Sequence, residues 1–368
     1  MKAERQGVAW AMQYESLFDD HLKYSCLPPS CQRAIRAVRQ ALRNESVFPK
    51  AVALPKALDM VALSFKSLPP EITPHAMLEI RSIAELWPFQ RPYAPLSPRA
   101  YLEKIDHEVS KLDAAPKLAM LYLFHGDGRL RQAALHRITP SMLSPFLFAA
   151  LTTRLNDWAR PVRQEAATSM ARICTAETLA RIAPAIPYLC LQSKTWQRWK
   201  EQSAAYEKIE ATPEVAEYMA QHLRTSLHGP LPRQCRAMLR HDIFDAHLLE
   251  LAHTAATPNV RAIALGALLN QRASWMIGRQ KRWVDKFYGI SRMDPIWAHR
   301  TITIPVSIPD LVYFGAQNRA AAVRRIVAYW LLKTDKPYPE AVALLSKDKY
   351  PSIRKAMEYY KRKRAENA

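Results

Sequence analysis

Apolar residues recur along most of the chain at the three- and four-residue spacing of amphipathic helices. One apolar stripe near the N-terminus consists of Ala34, Ile35, Val38, Ala41 and Leu42. A different pattern occurs at residues 301–309, where β-branched residues alternate with polar ones between prolines and favour a short strand or extended segment. The chain is therefore predicted to be all-α, with a short irregular or extended insertion near residues 271–310.

Five times, an aliphatic residue is followed at once by an arginine on a predicted helix. The pairs are Leu130-Arg131, Val162-Arg163, Val260-Arg261, Val323-Arg324 and Ile353-Arg354. The arginines are 32, 98, 63 and 30 residues apart, close to one, three, two and one multiples of a unit of about 32. This period indicates a stack of similar helical units rather than one globular core.

The units resemble HEAT-type repeats over roughly residues 115–365. The arginines of the five pairs are called the ladder arginines. Asp157 and Asp348 each precede a ladder arginine by six residues, as in the family's pattern, and Asn318 takes the same place before Arg324. His125 and Ala255 occupy that place in two other units. The resemblance implies a HEAT-like α-solenoid of stacked antiparallel helix pairs, in which these arginines join neighbouring repeats and are structural.

A proline-rich segment predicts a boundary within the chain. Residues 88–98 include four prolines, and a helix cannot continue through them. We therefore divide the chain into an N-terminal helical region at residues 1–86, a stiff connector at 87–98 and a repeat array at 99–368.

Glycine and proline contents refine this picture. Only 8 residues are glycine, which argues against sheets joined by tight hairpins and against glycine-rich phosphate loops. Proline is abundant, at 27 residues, and several prolines follow a serine or threonine directly. That order predicts helix starts with proline at the first position at Ser97-Pro98, Thr139-Pro140, Thr212-Pro213 and Thr257-Pro258.

The chain is strongly basic, with 53 lysines and arginines against 33 acidic residues and a net charge of +20. Such an excess favours a polyanionic partner, either a nucleic acid or, as the competing polyanion, anionic lipid. No apolar run approaches the ~18 residues that span a bilayer, and acids stand where a signal peptide needs an apolar core. The five scattered cysteines indicate reduced thiols. A cytoplasmic protein with neither cofactor nor metal site is predicted.

The insertion interleaves aromatic side chains with seven basic residues and only two acidic ones, Asp285 and Asp294. Basic groups neutralise phosphates and flat aromatic rings stack on exposed bases. The predicted nucleic-acid contacts here are Arg272, Trp275, Arg279, Lys281, Arg282, Trp283, Lys286, Arg292 and Arg300. In the alternative interpretation, the aromatic residues fill the core of an irregular repeat and the basic residues are solvated.

A second basic and aromatic cluster adds Lys194, Arg198 and Lys200 to the predicted contacts. Trp196 and Trp199 are three residues apart, which predicts that they share one helix face. Packing between repeats is the alternative role for the two tryptophans.

The chain lacks the motifs of P-loop, nucleophile-elbow and zinc-peptidase enzymes, so no catalytic residue is assigned. We expect a non-enzymatic scaffold subunit that binds the phosphate backbone of DNA or RNA within a larger complex. The alternative is a protein-binding scaffold for an acidic partner. A third possibility follows from residues 156–163, Asn-Asp-Trp-Ala-Arg-Pro-Val-Arg, which resemble a repeat of the HEAT-like alkylpurine DNA glycosylases.

Overall fold

Helices make up nearly all the regular structure in the computed structural model, which describes residues 25–43, 53–88 and 96–366. The first ten helices are α1 (Pro29–Arg43), α2 (Leu54–Lys66), α3 (Thr73–Ile83), α4 (Pro98–Ala114), α5 (Ala119–Tyr122), α6 (Gly128–Arg137), α7 (Pro145–Thr153), α8 (Arg160–Ile173), α9 (Ala176–Ile182) and α10 (Ile186–Gln192). They are followed by α11 (Ser203–Glu210), α12 (Pro213–Thr225), α13 (Leu231–Met238), α14 (Leu248–Thr254), α15 (Pro258–Leu269), α16 (Ile308–Gln317), α17 (Ala321–Leu331), α18 (Pro339–Ser346) and α19 (Pro351–Glu366). Strands β1 (Arg272–Asp285) and β2 (Ile290–Thr301) lie between α15 and α16.

The predicted proline starts are confirmed. Helices α4, α12 and α15 begin at Pro98, Pro213 and Pro258, and a short 3-10 helix begins at Pro140. Proline suits this position because its missing N–H would have had no partner within the helix. Of the four preceding residues, Ser97 also accepts a hydrogen bond through its side chain, from the Ala100 N–H.

The chain forms two compact units. One comprises Met1–Tyr188 and Trp196–Tyr206, and the other comprises Leu189–Thr195 and Glu207–Ala368. Residues 89–95 of the predicted connector, like the N-terminal segment used in the signal-peptide argument, lie outside the described residues. The boundary at the connector stays a prediction.

The core of the first unit centres on three phenylalanines. Phe65 meets Phe146 edge to face at 5.2 Å and Phe124 at 6.2 Å, and all three rings are buried. Helix α7 is buried from Phe146 to Thr152, because it lies among helices on every side. Helix α1 buries the predicted apolar stripe apart from Leu42, which is half-buried.

In the second unit, helices contact one another in pairs: α12 with α13, α14 with α15, α16 with α17 and α18 with α19. The second helices of these pairs also contact each other in chain order, from α13 through α15 and α17 to α19. Close approach needs glycine at Gly315, where an added Cβ would lie 2.4 Å from Val327 and 2.8 Å from Leu265. Helices α15, α16 and α17 meet at this point.

The five ladder arginines share one hydrogen-bonding geometry. Nη1 of each donates to the backbone carbonyl six residues earlier: Arg131 to His125, Arg163 to Asp157, Arg261 to Ala255, Arg324 to Asn318 and Arg354 to Asp348. In the first four, Nη1 also donates to the carbonyl five residues earlier. Each arginine therefore fixes the turn that leads into its own helix, whereas the resemblance implied a bond between neighbouring repeats.

Two of the ladder arginines also bind the carboxylate that lies six residues before the next ladder arginine. Arg131 donates to both oxygens of Asp157, at 2.9 and 2.7 Å, and Arg324 donates to both oxygens of Asp348, at 2.5 and 3.1 Å. Each carboxylate also accepts a backbone N–H two residues later, which holds the start of the following helix. Arg163 and Arg261 lack a carboxylate partner among the described residues, and their Nε atoms are buried without a hydrogen bond.

The insertion is more regular than predicted. Strands β1 and β2 pair antiparallel into one long hairpin, from Arg272 opposite Thr301 to Asp285 opposite Ile290. Strand β2 ends at Thr301, where the predicted extended segment, residues 301–309, begins. Residues 302–307 of that segment have no regular structure. The scarcity of glycine was a misleading signal, because the turn uses only Gly289, with φ of +66°.

Within the described residues, no helix is both long and apolar enough to cross a bilayer. All five cysteines are free, and burial raises the pKa of Cys174 and of Cys235 to about 12. These thiols are therefore protonated at neutral pH.

Asp157 is the shared counter-charge of two buried arginines in the first unit, Arg131 and Arg154. Burial alone would raise its pKa, but hydrogen bonds from Arg131 and the charge of buried Arg154 outweigh this effect and lower it. We expect Asp157→Ala to destabilise the protein by about 3–5 kcal/mol, because it leaves two buried guanidinium groups without a counter-charge. Urea unfolding is the measurement. Asp59→Ala, which removes the exposed partner of Lys117, should cost below about 1 kcal/mol, and equal losses would contradict the prediction.

His125 should make stability depend on pH. Its ring is buried, Nδ1 accepts the Asp127 N–H at 2.8 Å, and burial lowers its pKa from 6.5 to about 4. The unfolded chain therefore binds this proton between pH 6.5 and 4 while the folded chain does not, so stability falls as the pH is lowered through that window, by about 3 kcal/mol at most. His125→Asn keeps an acceptor and should flatten the fall in unfolding free energy between pH 7 and pH 4.5. Parallel curves would show that His125 does not titrate this way.

Candidate nucleic-acid interface

The root of the hairpin is fixed by Arg300. Its Nη1 and Nη2 donate to the two carboxylate oxygens of Asp245 at 2.7 and 2.6 Å, and further bonds reach the carbonyls of Leu239 and His241. Ala273, opposite Arg300, is fully buried. Arg300, one of the predicted phosphate contacts, is therefore committed to hydrogen bonds inside the second unit.

Strand pairing divides the hairpin into two faces, since residues directly opposite one another project to the same side. The side that carries Arg272 and Ser274, here called the groove face, also carries Met276, Arg279, Lys281 and Trp283 from β1 and Ser291, Met293, Pro295, Trp297, His299 and Thr301 from β2. The opposite side, called the outer face, carries Trp275, Gln280, Arg282, Arg292 and Asp294. Two bulges, at Ile277 and Val284, shift the register by one residue each.

The charges of the two faces differ. On the outer face, Arg292 Nε lies 2.8 Å from an oxygen of Asp294 and Arg282 Nη1 lies 3.7 Å from the other. The groove face has no acidic side chain, so Arg272, Arg279 and Lys281 form no ion pair with a described residue. Lys281 Nζ lies 3.8 Å from the centre of the Trp283 ring. Unneutralised positive charge is therefore concentrated on the groove face.

A cavity of about 580 Å³ adjoins the groove face in the second unit, between α13, α15, α17 and the hairpin root. Its lining includes Arg236, Arg272, Arg325 and Lys333 and no acidic residue. These four side chains are exposed and form no ion pair within the described chain. Small side chains and a glycine line the floor: Ala262, Gly266, Ala267 and Ala322. A polyanion could therefore approach the helix backbones closely.

The cavity is joined to the hairpin through Arg236, whose guanidinium lies 5.5 Å from the centre of the Trp297 ring on the groove face. Sequence reasoning did not single out Arg236, Arg325 and Lys333, which line this cavity. One signal was present, because Arg325 directly follows ladder Arg324. A residue one position further along a helix is rotated by about 100° around the helix axis, here from the side that faces the preceding turn to the side that faces the cavity. Ala262, which follows Arg261, also lines this cavity.

The aromatic side chains of the hairpin do not form a core. Trp283, Phe287, Tyr288 and Trp297 are exposed, and Trp275 is half-buried. This excludes the alternative interpretation in which these rings plug an irregular repeat. Of the remaining predicted contacts, Lys286 lies exposed in the turn between the strands.

The residues of the second predicted cluster do not lie on one helix face. The chain leaves the helix after a short 3-10 segment, Ser193–Thr195, and residues 196–200 are irregular. Trp196 and Trp199 nevertheless touch edge to face, at 5.4 Å. Lys194 belongs to the second unit, whereas Arg198 and Lys200 belong to the first. The helical prediction was wrong because it extended the period across a stretch that lacks it.

In the first unit, Arg198 packs on an exposed tryptophan. Its guanidinium lies 3.5 Å from the centre of the Trp158 ring, and its backbone N–H donates to Asn156. Trp158 is 81% exposed. The neighbouring Asp157 is buried between two arginines, so its carboxylate serves the fold and is closed to a substrate.

Within the described residues, no group of three or more His, Cys, Asp or Glu side chains is arranged to hold a metal ion. No protein-family model, curated protein or solved structure matches the chain.

The anchor at the hairpin root can be tested separately from binding. Asp245→Ala removes the buried partner of Arg300 and should loosen the hairpin, so that trypsin cleaves faster within residues 272–301. Asp294→Ala removes the same charge from an outer-face pair that is more exposed, and it should change the cleavage rate little. Equal rates in the two variants, measured by mass spectrometry of the early fragments, would refute the anchoring role.

Proposed function

We propose that the protein binds nucleic acid without catalysing a reaction, through the groove face of the hairpin and the basic cavity beside it. The observation that carries the proposal is the set of exposed cations with no acidic partner on these two adjoining surfaces: Arg236, Arg272, Arg279, Lys281, Arg325 and Lys333. Phosphate neutralisation by such groups releases counterions and needs no base-specific contact.

We also propose that the helices form a HEAT-like solenoid. Three observations support it: the common arginine geometry, the Arg131–Asp157 and Arg324–Asp348 bonds between successive units, and the row of second helices in the second unit. In such an array, the second helices line one continuous surface. The cavity of the second unit is lined by α13, α15 and α17, which all belong to that row.

A binding scaffold for an acidic protein segment is the second candidate, since the same unpaired cations would attract carboxylates. The two candidates differ in their response to competitor. Binding to a nucleic acid should withstand excess polyglutamate better than binding to an acidic protein would. The exposed aromatic rings favour nucleic acid, because bases offer flat faces that carboxylate side chains lack.

The faces of the hairpin provide a matched test. Arg279→Gln with Lys281→Gln removes two charges from the groove face, and Arg282→Gln with Arg292→Gln removes two from the outer face. Because each lost phosphate contact lowers the salt dependence by about one, the groove-face variant should reduce the slope of log affinity against log salt by about 2. Its affinity at low salt should fall about 10-fold or more.

The outer-face variant should change both quantities much less, because Asp294 already neutralises part of that charge. Fluorescence anisotropy with a labelled DNA duplex, a single strand and an RNA duplex measures affinity and slope together. Equal effects of the two variants would mean that net charge alone drives binding. Absence of binding at low salt would remove the proposal.

A further inference from the structure

The tip of the hairpin, residues 284–290, carries four exposed apolar or aromatic side chains. Phe287 is 89% exposed and Tyr288 is 73% exposed, and Val284 and Ile290 are exposed beside them. A contiguous apolar patch at the end of a projecting element marks a contact with another molecule.

This tip is ordered without a partner. The N–H groups of Phe287 and Tyr288 both donate to Asp285 Oδ1, at 2.8 and 3.1 Å. Gly289 closes the turn with a positive φ and donates to the Lys286 carbonyl. The two rings meet edge to face, with centres 5.0 Å apart and planes at 85°. The turn that carries both rings is therefore fixed by hydrogen bonds within the hairpin.

We propose that Phe287 and Tyr288 form an apolar wedge that enters a base step of double-stranded DNA and partly unstacks it. This inference rests on the proposed nucleic-acid function and specifies its substrate. Proteins that bind the minor groove insert apolar side chains between base steps in this way, and the bent duplex then contacts more of the protein.

The ring geometry favours a duplex over a single strand. Successive bases of a bound single strand stack in parallel on aromatic faces. Two rings at 85° cannot both offer parallel faces, whereas a wedge needs only one edge between two base pairs. The strands, of 14 and 12 residues, give a ribbon about 40 Å long, and two-stranded ribbons bind in the grooves of duplex DNA.

The distribution of charge favours DNA over an anionic bilayer. At a bilayer surface, basic residues contribute only near the inserted tip, because the surface potential falls off within a Debye length. Here Lys281 and Arg279 follow one another down the groove face towards Arg272 and the cavity. A line of cations along the whole ribbon matches a linear polyanion.

The test uses the full chain and a DNA duplex with 2-aminopurine placed at successive positions, including flexible pyrimidine–purine steps. Wild-type protein should raise the 2-aminopurine fluorescence severalfold at such a step. Phe287→Ala with Tyr288→Ala should abolish that rise and weaken duplex binding about 10-fold. Phe287→Leu with Tyr288→Leu keeps an apolar wedge and should retain most of the rise.

The control is Tyr313→Ala, which removes a half-exposed aromatic ring from α16 of the same unit and should change neither signal. Thermal melting checks that the variants are folded. Binding that depends on Arg279 and Lys281 without any 2-aminopurine response would overturn the wedge and leave the proposed function standing. A response that is equal in wild type and the alanine variant would also overturn it, as would capture by phosphatidylserine vesicles with no response on the duplex. No binding of the DNA duplex by the wild type would overturn the wedge, and the proposed function would fall with it only if the single strand and the RNA duplex also stayed unbound at low salt.

Discussion

The hydrogen bond from each ladder arginine to the carbonyl six residues earlier is the interaction on which the rest of the structure depends. It couples a helix to the turn before it. For Arg131 and Arg324, the same guanidinium also binds the aspartate that precedes the next ladder arginine. Planar guanidinium groups suit this double task, because their five donors point in fixed directions. Helices α15 and α17, which line the cavity, are each coupled to the preceding turn by such a bond.

The repeating part of the fold was predictable because its signal is periodic. Spacing singled out Arg131, Arg324 and the aspartates six residues ahead of a ladder arginine, and the resemblance to HEAT repeats implied their structural role; in the structure they bind one another. The degenerate stretch around Lys194 to Lys200 was wrongly predicted as one helix, because two tryptophans three residues apart satisfy a helical period by chance. Contact between their rings arises instead from irregular backbone.

The hairpin was only partly predictable. Its composition identified the region, but the low glycine content hid the turn, which needs a single residue with positive φ. The division of the basic residues of β1 between its faces depends on the bulge at Ile277, and a bulge reverses the alternation without leaving a mark in the sequence. Arg325 and Lys333 could not be placed at this cavity from the sequence, because their position there comes from packing between α13, α15 and α17 rather than from their local sequence.

Net charge alone gives a poor guide to where a polyanion would bind. Arg131, Arg300 and Arg324 contribute to the total of +20, yet each is held in a bidentate pair with a carboxylate within the fold. Six cations that form no ion pair within the described chain lie along the groove face and the cavity, where acidic side chains are absent among the lining residues: Arg236, Arg272, Arg279, Lys281, Arg325 and Lys333. Their field therefore adds along one path instead of cancelling locally. This separation between paired arginines that hold the helices and unpaired cations on one surface is the physical basis for expecting a linear polyanion there.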